Sequence, residues 1–104
     1  MNDEKNKIIE TLDRIENVTE LFYQENGAEA FDEFLNLLDD IAQMIDIMSK
    51  YSEENTDFEF DDKKVYDILK QIMEALEDRD EVMLADILQY DFAEYMNECL
   101  QQIE

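Results

Sequence analysis

The chain has 104 residues, and thirty acidic side chains face eight basic ones for a formal charge of −22. That length suits one domain with a core that needs neither metal nor disulfide, and 45% apolar content excludes a disordered chain. The charge repels phosphate backbones and anionic lipid headgroups, which excludes direct nucleic-acid or membrane binding and favours a protein partner with a basic surface.

Histidine is absent, which removes the commonest general base, the Ser-His and Cys-His pairs and most transition-metal sites. Cys99 is the only cysteine, so neither an internal disulfide nor a zinc cluster is expected. With one glycine and no proline, the chain lacks the turn residues of a sheet-rich domain; helices joined by short polar links are expected instead. The N-terminal MNDEKNKIIE has no apolar run resembling a signal peptide, and no stretch approaches eighteen uninterrupted apolar residues, so the default location is cytoplasmic.

The spacing predicts a first helix over residues 3–23, with Ile8, Leu12, Ile15, Thr19 and Phe22 on one face. Asn2 or Asp3 caps its start, and Gly27, in the left-handed conformation, closes its end. A second helix follows over 28–51. Twelve of the twenty-one residues from Phe31 to Tyr51 are apolar. Phe31, Phe34, Leu35, Leu38, Ile41, Ala42, Ile45 and Met48 make one face, widened on one side by Leu37, Met44, Ile47 and Tyr51. Such a wide arc marks an inner helix with two or more neighbours.

Residues 52–61, SEENTDFEFD, break the helical period and read as an acidic loop with one or two aromatics tucked onto the bundle; a short strand at 57–61 is the alternative. The third helix, 62–77, carries Val65, Ile68, Leu69, Ile72, Met73 and Leu76, with Asp61 or Asp62 as its cap. Glu77-Asp78-Arg79-Asp80 reads as a tight turn, with a helix running straight through as the alternative. The fourth helix, 80–102, has Leu84, Ala85, Leu88, Phe92, Tyr95, Met96, Cys99 and Ile103 on its main face. The whole is an all-α, antiparallel four-helix bundle in one domain, 1–104, and no internal repeat is evident in the sequence.

Two sets of apolar residues lie outside these faces or at their margins. Met83, Ile87 and Tyr90 form a second stripe on the fourth helix, and Leu37, Met44, Ile47 and Tyr51 a similar one on the second. Either set is a candidate partner-binding or homodimer surface, because Met adapts its shape and Tyr gives contact area at low entropic cost. The alternative is that both stripes are core. Asp57, Glu59, Asp61 and Asp62 suggest a calcium loop, but the glycine position is Asp62 and the closing glutamate position is Ile68, so the pattern fails. A di-iron bundle needs Glu-x-x-His pairs, which a chain without histidine lacks. Cys99 on an apolar face reads as a buried structural thiol. No catalytic, cofactor or metal residues are expected.

The run from Ala75-Leu76-Glu77 through Asp80, Val82, Leu84-Ala85-Asp86-Ile87-Leu88 and Tyr90-Asp91 resembles a group of short, acidic, uncharacterised helical proteins from bacteria, over about the last forty residues. In size, acidity and helix content the chain is also similar to flagellar and type III secretion chaperones. The reading that follows is a non-enzymatic protein-binding module, an adaptor or export-chaperone-like protein. A nucleic-acid mimic that occupies the basic groove of a DNA-binding protein is the first alternative, and a small enzyme using only carboxylates the second.

Overall fold

The computed structural model describes residues 2–103. α1 (Asn2–Tyr23), α2 (Gly27–Glu54) and α3 (Asp62–Glu77) are regular α-helices. The last quarter runs as one rod in three parts: α4 (Glu81–Asp86), a π-helical segment (Ile87–Ala93) and α5 (Glu94–Gln101). The backbone stays in the right-handed region at both joints. No strand occurs among the described residues, and residues 57–61 form a loop.

The connections make each helix antiparallel to the next. α1 lies between α2 and the α4–α5 rod, and α3 packs on the other side of that rod. Lys5 Nζ reaches the carbonyl of Ile103 at 3.4 Å, so the start of α1 meets the end of the rod. The four helices therefore close an up-down-up-down ring, 41 × 25 × 19 Å. One core runs through all of them, with Phe34, Phe92, Leu37, Met44, Leu84, Leu88 and Met96 among its fully buried side chains. Among the described residues the buried polar side chains satisfy themselves locally: the Thr11 and Thr19 hydroxyls donate to the carbonyls of Lys7 and Glu16, each at 2.7 Å.

Both tight turns end a helix in the same way. At α1, the N–H of Asn26 donates to the Leu21 carbonyl (3.0 Å) and that of Glu25 to Phe22 (3.2 Å). At α3, Asp80 donates to Ala75 (3.0 Å) and Arg79 to Leu76 (3.2 Å). This paired 6→1 and 5→2 pattern needs one left-handed residue. That residue is Glu25, φ 63°, in the first turn and Arg79, φ 51°, in the second. The expected role of Gly27 is thereby corrected: Gly27 has no positive φ and is the first residue of α2. A side chain here would meet the Glu81 carboxyl group, whose Cδ is 2.7 Å from the place of a Cβ. The glycine makes room for a carboxylate at the positive end of α2. Asp61 and Asp80 cap α3 and α4 by accepting from Lys64 and Met83 N–H groups, each at 3.0 Å.

The core face of α2 is also rotated from expectation. Ala30, Phe34, Leu37, Ile41, Met44 and Met48 are buried, whereas Leu35, Leu38 and Ala42 are exposed. The reason is how unequally the two neighbours of α2 pack. Asp40, on one edge, is held by both Lys7 and Arg14 of α1, which marks that edge of α2 as the one turned to α1. α3 comes less close on the other edge. Leu37 and Met44, read as a widening of the face, are its centre.

The π segment has a similar explanation. Leu84, Leu88, Phe92 and Met96, all fully buried, recur every four residues. In a regular α-helix each four-residue step advances about 40°, so this row would wind by about 120°. A wide i→i+5 turn absorbs about one extra residue, roughly 100°, and keeps the row aimed at the core.

Candidate functional site

The site is built from what the rod leaves outside. Met83 and Tyr90 are exposed, with Val82 beside them, while Ile87 is buried. Ile87 lies three residues after Leu84, on the flank of the core row rather than opposite it, and so is withdrawn from the expected stripe. Of the α2 set, Leu37 and Met44 have no exposed surface. Ile47 and Tyr51 are half-buried, and Tyr51 is further engaged by Phe58, edge to face at 5.1 Å. The two expected stripes thus reduce to one patch on the rod.

Sequence reasoning missed a member of that patch. Tyr23, the last residue of α1, is exposed and donates its hydroxyl to Asp86, one turn before Tyr90. Tyr23 lies outside the apolar face of α1, and that the rod brings Asp86 to it is a tertiary fact with no signal in the local pattern. Burial, and then the bond to Asp86, push the Tyr23 phenol up to about 12. Val82, Met83, Ile87 and Tyr90 line a shallow depression of ≈ 410 Å³ together with Asp80, Asp86 and Asp91. Exposed apolar side chains here are set among carboxylates, and Tyr90 also borders the two clefts on either side of the rod.

A model of the family described as Domain of unknown function (DUF8042) matches residues 4–102. The chain belongs to the DUF8042 family. No curated protein and no solved structure matches it. The patch is therefore interpreted from its own chemistry in this DUF8042 chain.

Residues 55–61 are stapled down rather than poised for a ligand. Phe58 and Phe60 are buried, and Phe60 stacks on Tyr95 at 6.1 Å between ring centres. The N–H of Asp61 donates to the Tyr95 hydroxyl at 2.8 Å, Ser52 donates to the Phe58 carbonyl at 3.2 Å, and Lys64 sits 4.6 Å above the Tyr95 ring. Asp61 is committed to capping α3, which takes it out of the carboxylate row that suggested a cation loop. Among the described residues no group of three or more His, Cys, Asp or Glu is arranged to hold a metal ion.

The cleft between α3 and the rod, ≈ 570 Å³, mixes Lys63 and Lys64 with Asp61, Asp67, Asp91, Glu94 and Glu98, so it is net acidic like the rest of the surface. Cys99 is buried beside Tyr95, and burial pushes its thiol up, away from the reactive thiolate. Hydrogen bonds from Lys7 and then Arg14 hold the Asp40 carboxyl below its ordinary value. Among the described residues no helix is long and apolar enough to cross a membrane.

Proposed function

We propose that this DUF8042 chain is a non-enzymatic protein-binding module, a small acidic adaptor or export-chaperone-like protein that docks a basic partner. The observation that carries the reading is the patch of Tyr23, Val82, Met83 and Tyr90, large apolar side chains left in solvent among Asp80, Asp86 and Asp91. Apolar surface supplies affinity that persists in salt, and the acids steer a cationic partner to it. Tyr and Met are side chains that carry binding energy in such patches. Nothing about the patch offers a nucleophile paired with a base, the minimum for covalent catalysis.

The experiment is affinity capture at low and high salt with wild type and with Met83→Ser/Tyr90→Ser. Both positions are exposed, so the double variant keeps its helical spectrum. A partner that survives high salt and is lost with the variant is the expected result. A partner that ignores the variant and is released by salt overturns it in favour of nucleic-acid mimicry.

A further inference from the structure

α2 and α3 are neighbours in the ring, and among the described residues the polar and cation–π ties between them lie toward their ends. At one end the Arg79 guanidinium lies 5.6 Å over the Phe31 ring; at the other Ser49 donates to Asp62 at 3.1 Å. Between these ties their backbones approach less closely than those of α1 and α2 or of α3 and the rod. Helical phase shows which side chains face this opening. Asp40 marks the edge of α2 turned to α1, and Leu38, two residues and about 200° away, lies on the opposite edge. Lys64 marks the edge of α3 turned to α5, and Tyr66, again two residues on, lies opposite it. Leu35 extends the first row by about one turn and Met73 the second by about two. All four are large and left in solvent: Leu35 57%, Leu38 39%, Tyr66 62% and Met73 54% exposed.

The outer border of this strip is charged at a regular interval. Asp32, Asp39, Asp46 and Glu53 follow one another at seven residues along α2, all exposed. They stand about 10.5 Å apart on nearly one line beside Leu35. Asp46 also holds Lys50 at 3.1 Å, one turn on, across an exposed pair of the weak kind. A helix laid along the strip would meet apolar side chains below and a carboxylate every seventh residue at its flank. A second copy of this chain would bring −22 against −22, which opposes it as the occupant.

We infer that the α2–α3 strip docks one amphipathic helix of a basic protein partner, with its apolar stripe seated between Leu35/Leu38 and Tyr66/Met73 and its Lys or Arg residues, at seven-residue spacing, against the Asp32–Asp39–Asp46–Glu53 row. This is helix-in-groove recognition with charge setting the register. The strip is a different face from the Met83/Tyr90 patch, and the inference stands or falls apart from it.

The probe is a synthetic amphipathic peptide of about five helical turns, with leucines on one face and lysines every seventh residue on its flank. It is compared with a scrambled peptide of the same composition and with one carrying Glu for Lys. Titrated into the full chain at near-physiological salt, the amphipathic peptide is expected to perturb the NMR signals of Leu35, Leu38, Tyr66 and Met73. It is expected to bind at least about tenfold tighter than either control. Leu35→Ser/Met73→Ser should weaken it by about tenfold, Asp39→Asn/Asp46→Asn several-fold with a shallower salt dependence, and Met83→Ser/Tyr90→Ser not at all. Equal binding of the scrambled peptide, or perturbations confined to another face, overturns the proposal. So does sedimentation of the free chain as a stable dimer that protects Leu35 and Leu38, which assigns the strip to a second copy. The wild-type signal map reads the site even where a variant loses structure.

Discussion

Exchanging the demands of residues 25 and 27 gives the sharpest test of the turn geometry. Glu25 sits at φ 63°, where a side chain on Cα crowds the following carbonyl. Holding a Cβ-bearing residue there costs about 1–2 kcal/mol. Glu25→Gly removes that cost but gives the unfolded chain more freedom, which returns about 0.4–1 kcal/mol. The net expectation is a gain of about 1 kcal/mol. The carboxylate flanks the negative end of α1 and the positive end of α2, so its charge effects largely cancel, and Glu25→Gln is expected to change stability by less than about 0.5 kcal/mol. Gly27 is helical, so Gly27→Ala meets no left-handed strain. Its methyl displaces only the end of the flexible Glu81 side chain, against which stands the helical advantage of Ala, up to about 1 kcal/mol. That variant should lie between neutral and about 0.5 kcal/mol more stable. Urea and thermal denaturation followed by circular dichroism read all three, and Glu25→Gly should raise Tm by about 4–8 °C. A neutral or destabilised Glu25→Gly with unchanged m value, together with a Gly27→Ala that loses more than about 1 kcal/mol, would refute the reasoning and put the left-handed residue at 27.

Two further outcomes follow from burial and hydrogen bonding. Leu37→Ala should cost about 2–5 kcal/mol by denaturant titration and Leu38→Ala less than about 1, because the first empties a core position and the second trims an exposed edge; equal losses would contradict the rotated face of α2. In a spectrophotometric titration the phenol of Tyr23 should ionise near pH 12, and Asp86→Asn should bring it down toward the ordinary tyrosine range. Since its folded value is raised, the linked stability is whole below about pH 10 and is lost as pH climbs toward 12; a Tyr23 titration unmoved by Asp86→Asn would remove the bond from the account.

The fold was legible because helices with one apolar face reveal their period locally. α3 begins and ends at residues 62 and 77 as read, capped by Asp61, and α1 begins one residue before the expected residue 3. Phe58 and Phe60 tuck onto the bundle as the loop reading of residues 52–61 expected, and the strand alternative at 57–61 does not form. What was not legible depends on neighbours. The apolar arc of α2 is too broad to say which part turns inward, and the closer packing of α2 on α1 than on α3 decides for Leu37 over Leu35. Gly27 looked like a helix terminator because glycine usually is one; the sequence carries no sign that Glu25 would take the left-handed place instead. Likewise Ile87 was assigned to an outer stripe on α-helical spacing, but it flanks the row that begins at Leu84 and is core. Of the seven candidate site residues, Met83 and Tyr90 remain well exposed. Tyr23 and the α2–α3 strip required the packing of whole helices to appear.

The wide turn at Ile87–Ala93 gives this chain an unusual place to absorb a change of length. Deleting a residue inside α1, α2 or α3 would throw every later side chain of that helix about 100° off its neighbours. Within the wide segment the same deletion would instead tighten the turn to ordinary α geometry and still keep the row from Leu84 to Met96 aimed at the core, since about eleven α-helical steps return to nearly the same face. Insertions and deletions among family members would accordingly be concentrated between residues 87 and 93 and in the 55–61 link. The segment that carries Tyr90 would be the part of the bundle freest to re-aim an outward side chain while Phe92 and Met96 stay where the core needs them.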